Sequence, residues 1–139
     1  MRRREFIATT CAACFGVESL SALLSSCAAE DVVTGELADG KILVPLPLPG
    51  PGPVHVVRAN NYPDAIALVR RPGGEFQAFL LRCTHASNPL QVHGEGFTCS
   101  LHGSAFDIEG RVTHGPATRP LQALTTTVTA NAVSVLVAG

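Results

Sequence analysis

The chain has no tryptophan, a single tyrosine and a single methionine in 139 residues. Its core must therefore rest on Val, Leu, Ile, Ala and Phe. Charge is also scarce, at 15 % of residues with a formal net charge of −1. The basic residues cluster only at Arg2, Arg3 and Arg4 and are scattered elsewhere. A nucleic-acid surface needs a basic patch, and none is present. There is no paired-carboxylate pattern, no Ser-His-Asp arrangement and no phosphate-cradling glycine loop, so no residue is assigned a catalytic role. The length suits one small domain with appendages.

The N-terminal segment is organised differently from the rest. Arg2-Arg3-Arg4 is followed by a mildly apolar stretch from Phe6 to Leu24 and then by Leu24-Ser25-Ser26-Cys27. A basic start, an apolar middle and a small-residue end are the layout of a bacterial secretory signal. Arg3-Arg4-Glu5-Phe6-Ile7 resembles the twin-arginine signal of proteins exported folded. Leu24 to Cys27 resembles a lipoprotein cleavage box, which implies lipidation at Cys27. An ordinary secretory signal or an uncleaved anchor are the alternatives, although Glu18 near the middle is costly in a spanning helix. Cys11 and Cys14 fall inside this segment and are read as coincidental. The domain reading is thus an export signal over 1–27, a flexible tether over 28–40 and a folded domain over 41–139.

Within 41–139 the pattern is of short β-rich runs separated by turn residues. Lys41–Val44, Val54–Arg58, Ala65–Arg70, Phe76–Arg82, Gly96–Thr98, Ser104–Asp107, Leu124–Thr129 and Ala132–Val137 read as strands. Arg71-Pro-Gly-Gly74 is a hairpin signal, Ile108-Glu-Gly-Arg111 and Ala130-Asn131 are turns, and the alternating prolines of Pro45–Pro53 mark a surface loop or sheet edge. No convincing helical periodicity and no internal repeat occurs. An all-β sandwich or barrel is expected.

Two short segments carry the chemistry. Cys83-Thr84-His85 and Cys99-Ser100-Leu101-His102 each offer one thiol and one imidazole. Two sulfurs and two nitrogens suit zinc or an iron–sulfur centre, and a disulfide between the two cysteines is the plainer alternative. Paired zinc ligands are usually two to four residues apart with helical context, which Cys-x-His lacks. His55, His93 and His114 are expected at surface or turn positions. Asp107 and Glu109 read as turn residues.

The run from Cys99 to Val112, with Gly115-Pro-Ala117 and Pro120-Leu121 after it, resembles the second cluster loop and the proline loop of Rieske proteins. The resemblance extends from about Lys41 to the C-terminus. It implies a Rieske-like antiparallel β-sandwich with a small cluster-binding subdomain, holding one [2Fe–2S] cluster. By the family pattern Cys83 and Cys99 bind one iron and His85 and His102 the other. The segment between the motifs is shorter than is common in the family. Asn88 and Leu101 stand where respiratory members carry an extra disulfide, so that clamp is absent. Ser104 matches a residue whose hydroxyl bonds a bridging sulfide in high-potential members, and Phe106 replaces a tyrosine that bonds a ligand cysteine. One such bond kept and one lost implies an intermediate value in the Rieske range of roughly −150 to +300 mV.

The resemblance further implies one-electron transfer with no substrate site of its own. Taken with the export signal, it points to a periplasmic or membrane-anchored carrier, or to the small subunit of a respiratory-type oxidoreductase. Its partners would be a redox protein or larger subunit, with the membrane reached by lipid anchor or uncleaved signal, and no nucleic acid. The ferredoxin component of a ring-hydroxylating oxygenase and a zinc-stabilised non-redox binding module are the alternatives. Too little chain follows His102 for an oxygenase catalytic domain.

Overall fold

The computed structural model describes residues 30–137. The export segment and Cys27 lie outside the described residues. Those residues form β-strands in two sheets, with no helix among them. The all-β expectation is met.

The centre of the larger sheet is β3 (Val54–Ala59), β4 (Ile66–Arg70) and β5 (Phe76–Leu80), paired antiparallel in that order. Ile66, Ala67, Leu68 and Val69 are all buried. A continuous apolar run of this kind fits a strand covered on both faces. Ile66 and Leu68 pack with Val57 and Ala78 into one core, while Ala67 and Val69 pack with Val56 and Phe79 into another. The β4–β5 turn closes as expected, with the Arg71 N–H donating to the Glu75 carbonyl and the Gly74 N–H to the Arg71 carbonyl.

The other half of the sheet holds β1 (Val32–Ala38), β2 (Lys41–Pro45) and, near the C-terminus, β12 (Ala132–Leu136). Its strands alternate. Ile42, Val44, Val133 and Val135 are buried, whereas Lys41, Leu43 and Leu136 face solvent. Alternation of this kind marks a sheet wetted on one side. β1 overturns part of the tether expectation, because residues 32–38 pair antiparallel with β2 and parallel with β3. Two features of a small-residue stretch make this possible. Val33 is buried in the core, and a side chain at Gly35 would collide with Ile42.

β6 (Gln91–His93), β7 (Gly96–Thr98), β8 (Ala105–Phe106) and β9 (Val112–His114) form the four-stranded second sheet. Strands this short cannot hold a core alone. Phe97 and Phe106 instead pack on the outer face of β3–β5, with the Phe97 ring 6.3 Å from that of Phe79. Gly110, at φ 77°, turns the chain between β8 and β9 where a Cβ would stand 2.7 Å from the Phe79 ring. β10 (Ala123–Leu124) borders β5, and β11 (Thr126–Val128) borders β12.

His55 departs from expectation. It is fully buried on β3, and neither ring nitrogen has a hydrogen-bond partner. Burial pushes its pKa below the ordinary value, assisted by Arg70 and opposed by Asp31 and the Gly52 backbone. Burial thus favours the uncharged ring. His55, Val56 and Val57 are buried in succession, so a polar residue within this stretch has no wet side to turn to.

Candidate metal centre

β5 runs on through Leu81 into the first of two loops. An isolated bridge between Arg82 and Pro89 closes its base. Inside it the Cys83 N–H donates to the Asn88 carbonyl at 2.8 Å, and the Ser87 N–H to the Cys83 carbonyl at 2.8 Å. The second loop joins β7 to β8 and repeats this frame. The Cys99 N–H donates to the Ser104 carbonyl at 2.8 Å, and the Gly103 N–H to the Cys99 carbonyl at 2.9 Å. The residue before the end of each loop is left-handed, Ser87 at φ 58° and Gly103 at φ 81°.

This frame sorts the four donors by depth. Cys83 and Cys99 are buried with free thiols, so the disulfide alternative is not realised. His85 and His102 are exposed, their rings edge to face with centroids 5.0 Å apart. Burial raises the Cys83 pKa, but the neighbouring His85 and Ala86 N–H groups, Ser104 hydroxyl and Cys99 thiol more than offset it. The net shift is downward, toward the thiolate that a metal needs. Among the described residues no three His, Cys, Asp or Glu side chains converge as a single ion would require. The donors lie as a deep sulfur pair and a shallow nitrogen pair.

Ser104 ties this arrangement to the proline loop. Its side chain is fully buried, and its oxygen accepts the Ala117 N–H at 3.0 Å. Ala117 and Leu121 share the core with both cysteines. A second clasp lies nearer the surface: the Thr84 hydroxyl donates to the Arg119 carbonyl at 2.7 Å, and the Arg119 guanidinium to the Thr84 carbonyl at 3.2 Å. Ala117 lies in the proline loop that the sequence resemblance names, whereas Arg119 was not legible as a site residue, since only tertiary contact brings it to the first loop. Phe106 is buried and brings no hydroxyl, while Leu101 stays 65 % exposed. Asp107 is a turn residue as expected, accepting the N–H groups of Glu109 and Arg111 and pairing with the Arg111 side chain. His93 and His114 are exposed.

The model of the Rieske [2Fe-2S] domain matches residues 47–126, more than half of the chain. The chain belongs to the Rieske [2Fe-2S] domain family. Among solved structures, the cyanobacterial plasma membrane Rieske protein PetC3 from Synechocystis PCC 6803 is 26 % identical with a TM-score of 0.50, over 73 % of this chain and 94 % of that one. A naphthalene 1,2-dioxygenase bound to phenanthrene is 21 % identical with a TM-score of 0.51, over 65 % of this chain and 24 % of that one, a likeness of fold alone. The ferredoxin of carbazole 1,9a-dioxygenase from Nocardioides aromaticivorans IC177 is 26 % identical with a TM-score of 0.44, over 62 % of this chain and 86 % of that one. No curated protein matches the chain. As a Rieske domain the chain binds one [2Fe–2S] cluster and transfers electrons through it. The side chains fit that group: a thiol whose pKa is lowered, a second buried thiol, two imidazoles in edge-to-face contact, and N–H and O–H groups that favour the thiolate.

Proposed function

We propose that Cys83 and Cys99 hold one iron of the cluster and His85 and His102 the other, in a domain that relays single electrons outside the cytoplasm. The observation that carries the assignment is the split of the four donors into a buried thiol pair and an exposed imidazole pair. A binuclear centre uses two pairs, whereas zinc would gather all four donors at one point. When bound, the cluster supplies a one-electron couple.

The chain's own groups set the terms of that couple. The core around Cys83 and Cys99 excludes water from the sulfur end. The His85 and Ala86 N–H groups and the Ser104 hydroxyl disperse negative charge on the Cys83 sulfur, which favours the reduced state and raises the potential. Phe106 contributes no further donor, so the potential falls inside the Rieske range and not at its top. His85 and His102 lie at the surface and give electrons their shortest way in and out.

Residues 1–27 serve as an export signal, with Cys27 the lipidated residue of the mature protein, and a short linker precedes β1. Arg3-Arg4 and the Leu24–Cys27 box support this reading. So does the plasma membrane location in the description of the Synechocystis protein. The protein then acts as a carrier or as the small subunit of a respiratory-type oxidoreductase, with a larger redox protein as partner.

Low-temperature electron paramagnetic resonance of the reduced protein, produced with its cluster, tests the ligand set. A rhombic signal with the low average g-value of mixed Cys/His ligation is expected, and Cys99→Ser should abolish it. A colourless protein carrying stoichiometric zinc would overturn the proposal.

A further inference from the structure

The loops around the imidazole pair are unusual in charge. Residues 83–88, 99–104 and 114–120 contain no Asp or Glu at all, and they carry one arginine, Arg119, together with His85, His102 and His114. Three acidic residues outside these loops are already committed. Asp64 takes the Arg82 guanidinium through both carboxylate oxygens, and Asp107 and Glu109 take Arg111. Among the described residues Arg119 enters no ion pair. Its guanidinium is instead held in place by the Thr84 carbonyl.

Arg119 also borders an open cleft of about 590 Å³ beside the first loop, shared with Arg82, Cys83, Thr84, Ser87 and Gln122. Arg82 contributes little net field there because Asp64 neutralises it. The remaining lining offers hydroxyl and amide groups, which can hydrogen-bond a carboxylate. The β1 region has the opposite character, with Glu30, Asp31, Glu36 and Asp39 on or beside that strand.

We infer that the histidine tip and the Arg119 cleft form the docking surface for an acidic protein partner, whose carboxylates seat against Arg119 while its redox centre faces His85 and His102. This rests on the ligand assignment proposed above. The partner is identified by charge: a redox protein presenting a patch of Asp and Glu. Fixed charge at an otherwise acid-free tip steers encounter and governs on-rate, with a strong dependence on ionic strength.

The test uses the full-length protein with its cluster, reduced and then mixed with two small oxidants, anionic ferricyanide and cationic tris(phenanthroline)cobalt(III). Each takes one electron per molecule, giving ferrocyanide or the cobalt(II) complex, and returns the protein to its oxidised form. Arg119→Glu should lower the ratio of the ferricyanide rate to the cobalt rate roughly three- to tenfold at low salt, and added salt should erase the difference. Taking the ratio cancels any change in the protein's own potential. Arg119→Gln should give a smaller shift, and Lys41→Glu, on β2 in the other half of the sheet, none. Poly-L-glutamate should slow the ferricyanide reaction of the unmodified protein and not that of Arg119→Glu.

An intact paramagnetic signal with an unchanged rate ratio would overturn this inference and leave the ligand assignment standing. Absence of the signal in the unmodified protein would instead overturn the ligand assignment. Arg119-dependent binding to phosphatidylglycerol vesicles that poly-L-glutamate does not displace would also overturn the inference, in favour of a lipid surface.

Discussion

Residues 83–88 and residues 99–104 close with the same two backbone hydrogen bonds and each place a left-handed residue next to last, yet they are secured in different ways. The second loop uses glycine at the left-handed position and ends on Ser104, whose buried hydroxyl accepts from Ala117. The first loop uses serine at that position, ends on half-buried Asn88, and is fastened by the more exposed clasp between Thr84 and Arg119. Their histidines differ too, third in the first loop and fourth in the second. One backbone plan thus accepts two sets of side chains. The second loop is the better-anchored half of the site, and the first carries both the strain and the charged surface.

The largest effect should come from loosening the better-anchored half. Ser104→Ala leaves the Ala117 N–H buried without a partner and removes a hydroxyl that favours the Cys83 thiolate. The expected loss is about 1–3 kcal/mol of stability, together with a lower midpoint potential. Asn88→Ala, at the matching position of the first loop, should cost less because its backbone carbonyl makes the loop bond and survives the change. Urea unfolding and a potentiometric titration of both variants check this. Equal losses at the two positions would erase the asymmetry.

The next effect isolates backbone conformation. A Cβ at Gly103 meets nothing within 4 Å, so Gly103→Ala introduces no clash. The cost comes from holding an L-residue at φ 81°, about 1–2 kcal/mol. Thermal unfolding of the cluster-bound protein would measure it, and an unchanged transition would show that the loop can relax out of the left-handed region.

Much of this molecule was legible in the residues, and the parts that were not share a cause. The strands over Ile66–Arg70 and Phe76–Leu80 follow from local patterning, and the turns follow from Gly, Pro and Asn. The two Cys/His segments stood out because thiol and imidazole at short spacing have few other uses. β1 was missed because a small, acidic stretch looks like a tether until β2 and β3 supply partners on either side. His55 is expected at the surface because a histidine with no partner in the local sequence usually stays in water, whereas His55, Val56 and Val57 are consecutively buried on β3. The repeat between the loops left no trace in composition, since it resides in N–H to carbonyl bonds and in φ. The clasp between Thr84 and Arg119 joins residues far apart in the chain. Each miss depends on what lies across a sheet or a cleft, which local sequence does not encode.

The smallest effect runs in the opposite direction. Ser87 sits at φ 58° where its counterpart Gly103 is a glycine, so the first loop carries a conformational cost of roughly 1–2 kcal/mol that the second avoids. Ser87→Gly removes that cost but gives the unfolded chain more freedom, which takes back about 0.5–1 kcal/mol. A net gain of roughly 0.5 kcal/mol is expected, visible as a small rise in the unfolding midpoint with an unchanged paramagnetic signal. The Ser87 N–H must keep its bond to the Cys83 carbonyl for this to hold. A destabilised Ser87→Gly protein would show that the serine hydroxyl makes a stabilising interaction of its own, and that the first loop is less strained than its backbone implies.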